Sequence, residues 1–297
     1  MANVLFSSCP ICASNELKKV FDIKDHSVSG ELFTIMECQN CSLRFTSDAP
    51  AQNLIGPYYK SEDYISHTNT SKGLVNGLYQ VVRKFTLQQK RKLIQRFTGH
   101  LAGSILDLGS GTGAFVATMK TAGWQVMGLE PDADARKIAY DTFGVNLTDL
   151  SSFYQLQKSS YDAITMWHVL EHVHSLHEYM AQLKNLLKQD GRLFIAVPNY
   201  TSGEAQVYKT DWAAYDVPRH LYHFSPASMQ KLVSLHGLKI YSYQPMWFDS
   251  FYISLLSSKY KNGKSNLIGA GIQGLLSNLK AMSNPKLCSS VIYVIGE

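Results

Sequence analysis

From residue 101 onward the chain alternates apolar runs of strand length with segments of helical periodicity, and no other feature restricts its fold as strongly. Strand-like runs stand at 104–108, 125–130, 145–149, 161–167 and 191–197, separated by helical stretches at about 114–122, 132–142 and 175–187. Pro198 ends the fifth run. Ser225-Pro226 then opens a helix, with serine at the cap and proline at the first helical position, that stops near Gly237. Runs at 238–241 and 289–295 read as further strands. Strand alternating with helix at this spacing predicts an α/β fold: a Rossmann-like, doubly wound parallel sheet with helices on both faces.

The 297 residues suit one or two domains, and 45% hydrophobic with 17% charged residues excludes both a disordered chain and a polytopic membrane protein. The net charge of +5 is unevenly spread: residues 1–100 carry +4, residues 101–250 carry −3, and residues 251–297 carry +4. A nucleic-acid binder more often shows a basic stripe across its main domain. Here the densest run is Lys72 to Arg96, with seven basic residues and no acidic one. Its apolar positions predict one amphipathic helix with a basic outer face, either simply solvated or offered to an anionic partner such as RNA phosphate. The start of the chain lacks a basic, long-apolar leader and no run of about 18 apolar residues occurs, so the expected location is the cytoplasm.

The first strand-to-helix turn reads Asp107-Leu108-Gly109-Ser110-Gly111-Thr112-Gly113-Ala114. Gly109, Gly111 and Ala114 fit the dinucleotide spacing, in which glycines permit a tight turn and close approach of a ligand to a helix N-terminus. Asp107 discriminates. A carboxylate directly under the loop repels a diphosphate but attracts the sulfonium and ammonium groups of S-adenosylmethionine. Glu130, 23 residues later, ends the second strand where a carboxylate accepts both ribose hydroxyls.

These residues resemble motif I of the class I S-adenosylmethionine-dependent methyltransferases, over roughly residues 100–245. That resemblance implies a seven-stranded sheet with its last strand antiparallel. It also implies that Asp107, Gly109, Gly111 and Gly113 line the methionine part of the cofactor, that Glu130 holds the ribose, and that Asp149 meets the adenine amino group.

Six of the ten histidines lie between 168 and 223. The stretch from Tyr161 to Val173, with His168, Glu171 and His172, resembles motif IV of a group that includes ubiquinone-type O-methyltransferases, and Pro218 to Ser225 resembles another recurring element of it. Histidine titrates near neutrality and suits a general base where the acceptor carries a proton. His168 is the first choice, then His220, then His223. One alternative is that several of these pack in a polar core or cap a helix. Another is a divalent metal held by His168, Glu171 and His172 with His220 or His223, resembling small-RNA 3′-terminal 2′-O-methyltransferases; there His168 stands in place of a glutamate.

Cys9-Pro10-Ile11-Cys12 and Cys38-Gln39-Asn40-Cys41 form two C-x2-C pairs separated by 25 residues. Such pairs predict a tetrahedral zinc site with a hairpin between them, structural because four thiolates leave no open position. The fifth cysteine, Cys288, reads as a buried hydrophobe. A four-cysteine module ahead of this fold also resembles the sugar C-methyltransferases of deoxysugar pathways, whose additional large C-terminal domain this chain lacks room for.

The expected organisation is a zinc-ribbon-like module at 1–50, a linker and basic helix at 51–100, and a methyltransferase domain at 101–297 with insertions at about 200–224 and 247–287. The expected function is methyl transfer to a small-molecule or glycan-precursor acceptor, with the acceptor atom and oligomeric state open. The alternatives are a metal-assisted RNA methyltransferase and a non-catalytic interaction protein.

Overall fold

A computed structural model describes residues 3–59 and 74–297; Lys72 and the rest of the linker at 60–73 lie outside the described residues. In chain order the elements begin with five short strands: β1 Asn3–Leu5, β2 Leu17–Lys24, β3 Leu32–Cys38, β4 Arg44–Thr46 and β5 Asp48–Pro50. The long helix α1 is Leu74–Thr98. Then follow β6 Ser104–Leu108, α2 Ala114–Thr121, β7 Gln125–Leu129, α3 Ala133–Phe143, β8 Tyr161–Trp167, α4 Leu176–Leu186 and β9 Leu187–Pro198. The last part holds α5 Gly203–Tyr208, β10 Tyr222–His223, α6 Pro226–Leu235, β11 Lys239–Pro245, α7 Asp249–Asn262, α8 Leu267–Ser283 and β12 Ser290–Gly296.

The main sheet runs β11-β12-β9-β8-β6-β7. Strands β6 to β9 are parallel, and β12 is antiparallel to both its neighbours, as expected of the last strand. Every residue of β12 is buried, which is why it reads as an unbroken apolar run rather than an alternating one. Among the described residues the sheet has six strands where seven are expected. The run at 145–149 pairs only as a single parallel bridge between Thr148 and Leu129. Asp149 ends it by accepting the Ser151 backbone N–H at 2.9 Å, which caps the 3-10 turn Leu150–Gln155 and bends the chain off the sheet edge.

The cysteine segment does not stand apart. Strands β2 and β3 form the hairpin expected between the cysteine pairs, and the small sheet continues β3-β4-β10, so its edge strand comes from the stretch at 200–224. Thr46 clinches the junction: its N–H donates to Leu221 O at 3.0 Å and its hydroxyl to His220 O at 2.8 Å. Arg44 adds a second tie, donating to Glu37 at 2.6 Å and to the Tyr215 hydroxyl at 2.8 Å, with its guanidinium 4.2 Å from the Tyr200 ring centroid. Ser225 then starts α6 with a capping box, accepting Ser228 N–H while Ser228 accepts its own, which stabilises that start by about 1 kcal/mol.

Candidate active site

The carboxyl ends of β6, β7 and β8 converge on one cleft, the position at which open α/β sheets receive ligands. Asp107 is 2% exposed, and its Oδ1 accepts the Thr165 hydroxyl at 2.6 Å from neighbouring β8. Burial pushes its carboxyl up to about 6, against the opposing pull of that hydrogen bond and of Lys90. The loop above it is pinned from below. Gly109 and Ser110 both donate their N–H groups to Leu129 O, at 2.8 and 3.1 Å. Gly109, Gly111 and Gly113 have φ of +68°, +52° and +76°, conformations that L side chains rarely adopt. At Gly109 an added Cβ would stand 2.5 Å from Val169, whereas at Gly111 it would meet nothing within 4 Å, so the loop's crest opens onto space.

Glu130 is the hinge of this arrangement. Its Oε2 accepts Gly111 N–H at 2.7 Å and its Oε1 accepts Asp132 N–H at 3.0 Å, which ties the loop to the start of α3. Burial raises its pKa. Asp149 lies beside the end of β7, but its carboxylate is engaged by the Ser151 N–H and, at 3.0 Å, by Arg136.

His168 follows β8 with φ of +58°, a strained conformation outside glycine. Its Nε2 lies 2.9 Å from Asp249 Oδ2 and its Nδ1 3.3 Å from Glu171 Oε1. Burial works against charge there, but the two carboxylates outweigh it and hold the imidazole up to about 10. A carboxylate faces each ring nitrogen, an arrangement that favours the protonated imidazole over a free lone pair. His220 is different. Its Nδ1 lies 2.9 Å from Ala214 O, and since a carbonyl only accepts, Nδ1 carries a proton, while Nε2 faces Asp216 Oδ2 at 3.8 Å. His223 packs behind it in β10: its Nε2 meets Thr46 Oγ1 at 3.2 Å, and burial holds it neutral.

Three elements missed in the sequence complete the cleft. Asp249, the start of α7, is the single carboxylate within residues 217–296, and that isolation is the one signal that could have singled it out. Thr165 anchors Asp107. Lys90 of α1 turns inward and sets its ammonium 4.1 Å from the Trp167 ring centroid, where burial lowers its pKa to about 8. This corrects the picture of a uniformly basic outer face: Lys84, Lys92 and Arg96 are exposed, while Arg83, Lys90 and Arg91 are partly covered.

Glu171 is fully buried, and among the described residues neither of its oxygens has a hydrogen bond. It offers one ligand atom together with His172 and His220, all within 4.8 Å of one another. His168 does not join that group. The four sulfurs of Cys9, Cys12, Cys38 and Cys41 also lie within 4.8 Å of one another. The two pairs repeat the same turn: Ala13 N–H donates to Cys9 O and Ser42 N–H to Cys38 O, both at 2.9 Å, with Ala13 and Ser42 each at positive φ.

A family model described as a methyltransferase domain matches residues 82–243, more than half of the chain. The chain belongs to that family. The methyltransferase is 33% identical to the ubiquinone biosynthesis O-methyltransferase of Glaesserella parasuis serovar 5 over 117 residues, covering 35% of this chain and 49% of that protein. With the enzyme of the same name from Actinobacillus pleuropneumoniae serotype 7 it shares 31% over 137 residues, 42% and 58% of the two chains. It thus spans about half the length of the curated relatives it matches. Magnesium protoporphyrin IX methyltransferase from Synechocystis PCC 6803, solved with bound S-adenosylhomocysteine, superimposes with a TM-score of 0.52 at 15% identity, covering 81% of this chain and 97% of that one. That likeness is one of fold, and the fold is that of the class I S-adenosylmethionine-dependent methyltransferases.

Proposed function

We propose that this methyltransferase carries a methyl group from S-adenosylmethionine to a hydroxyl of a small-molecule acceptor. The observation that carries the reading is Asp107, a buried carboxylate that, among the described residues, takes its side-chain hydrogen bonds from neutral donors, directly beneath a loop crest with room for a ligand. When bound, the cofactor supplies a methyl carbon already activated by the sulfonium. Asp107 attracts its positive charge, the loop's backbone N–H groups approach the methionine part, and Glu130 accepts from the ribose while staying fixed by Gly111 and Asp132. Asp149, beside the end of β7, is assigned to the adenine amino group. The relatives that share this domain bear the name of O-methyltransferases, and an oxygen acceptor for this chain rests on them.

The chain's remaining task is to align the acceptor and exclude water. His168, clamped between Asp249 and Glu171, serves as a fixed cation that orients an anionic or polar acceptor atom. The proton-accepting role passes to Nε2 of His220. One observation favours a second reading of the same atom: the buried Glu171 carboxylate, paired with His168 on one side, lies beside His172 and His220 with ligand atoms close enough to hold a divalent ion, for which two imidazoles and one carboxylate favour a transition metal over magnesium. The two readings compete for one lone pair, so a metal that binds stoichiometrically there excludes the base. The four-cysteine cluster is assigned to a structural zinc, since paired turns present its four sulfurs to one point.

Thermal denaturation tests the central claim. S-adenosylhomocysteine should raise the melting temperature and NAD should not, and Asp107→Ala should abolish the effect while leaving a folded protein. Stabilisation by NAD alone would sink the proposal.

A further inference from the structure

Helix α8 is built inside out. Its small residues Ala270, Gly274, Ser277 and Ala281 are buried and recur every three or four positions, so at 100° per residue they share one face. At Gly274 an added Cβ would stand 2.6 Å from Phe251 of α7. The large side chains take the opposite face: Ile268, Ile272, Leu275, Leu276, Leu279 and Met282 are 49–78% exposed. A helix on a globular surface ordinarily does the reverse. A continuous aliphatic face of this kind marks an interaction surface.

The surrounding charge narrows what the surface meets. Lys261 and Lys264 precede the helix, Lys280 lies in its last turn and Lys286 just beyond, and all four are exposed. Residues 250–296 hold five lysines and no carboxylate. Of the carboxylates on adjoining elements, Asp249 is turned to His168, and Glu204 of α5 is buried beneath α8 and accepts the Ser277 hydroxyl. Two copies of the chain packed through this face would press like-charged rims together. A nucleic acid would satisfy the lysines but leave the aliphatic face in water. An anionic lipid surface satisfies both at once, with apolar side chains at the acyl boundary and ammonium groups among the headgroups.

We propose that α8 lies flat in the interface of an anionic phospholipid bilayer and docks the methyltransferase on it. Among the described residues no helix is long and apolar enough to cross a membrane, and seventeen residues lying in the plane reach about 25 Å along it. The antiparallel partner α7 starts at Asp249, inside the cleft. Docking therefore sets the cleft within one helix length of the lipid, a placement suited to an acceptor that dissolves in the membrane.

Flotation of the purified full chain with lipid vesicles tests this. With vesicles of about three parts phosphatidylcholine to one part phosphatidylglycerol the protein should float, with phosphatidylcholine alone it should float several-fold less, and about 0.5 M salt should weaken the anionic binding. Leu275→Gln together with Leu279→Gln should cut binding about tenfold, because both side chains leave the apolar stripe and neither supports the core. The stabilisation by S-adenosylhomocysteine should be unchanged in that variant, which separates docking from cofactor binding. Equal flotation of wild type and double variant, or none by either, overturns the proposal. So does a dimer in sedimentation that the double variant dissolves, since the face would then be covered by a second copy.

Discussion

Asp107 is placed where folding and ligand binding make opposite demands on one proton. Its carboxyl is pushed up to about 6 because ionising it inside the free protein costs solvation that the Thr165 hydroxyl and the ammonium of Lys90 only partly restore. The unfolded chain ionises at the ordinary carboxylate pKa of about 4. Between those values the folded form binds more protons, so this residue's contribution makes the free protein less stable as pH rises from about 4 to about 6. Cofactor binding runs the other way, since only the carboxylate attracts an ammonium or sulfonium. The affinity for S-adenosylhomocysteine, measured by calorimetry, should therefore fall as pH drops through about 6. In Asp107→Asn that step should vanish and affinity should be low throughout. A pH step that persists in the variant would assign it to another group. The same logic separates His168 from its neighbours: two carboxylates supply it with charge, whereas burial strips charge from His172, lowered to about 4, and from His223.

Elements that bury continuous apolar runs were readable in advance, and elements set by distant partners were not. The runs at 104–108, 161–167 and 289–295 became β6, β8 and β12 within a residue, because their hydrophobicity comes from covering on both faces. The run at 145–149 looks equally strand-like, yet a local competitor, the Asp149 carboxylate capping the next turn, limits it to one bridge. Asp107, Glu130 and the glycines were legible because strand, turn and helix lie next to one another in the chain. The clamp on His168 was not, since Asp249 arrives from 81 residues away. Likewise α1 was read from its own periodicity, which says nothing about a Trp167 ring waiting beneath Lys90. The Arg44 junction in β4 belongs to this non-local class, and its weight is measurable. Arg44→Met should destabilise the protein by about 2–4 kcal/mol in denaturant titration, since it leaves Glu37 half-buried and unpaired and removes a stacked, hydrogen-bonded tie to Tyr200 and Tyr215. Lys137→Ala breaks an exposed pair with Asp141 of the same 2.6 Å length and should leave the denaturation midpoint essentially where it is. Equal effects would mean that Arg44 is only a surface charge.

At the scale of the whole molecule, the +5 charge resolves into an acidic middle that carries the cleft and two basic flanks with different tasks. The first flank reaches into the cleft through Lys90, and the second rims α8. The cysteine segment, which reads as a separable ribbon, shares its hydrophobic core with the catalytic sheet: Cys9, Cys38, Cys41, Leu43 and Phe45 belong to one buried cluster with Leu106, Leu108, Met166 and Leu221. Its sheet borrows β10, the strand that carries His223 and begins two residues after His220. A core common to both parts predicts cooperative unfolding rather than two independent steps. Stripping the four-cysteine site with a zinc chelator, or replacing Cys38 by serine, should therefore lower a single thermal transition by something on the order of 10 °C. The loss should carry cofactor binding with it, because β4 no longer braces the strand beside His220. Two resolved transitions, with S-adenosylhomocysteine still raising the upper one after chelation, would show that the segment is an independent domain and that the cleft stands without it.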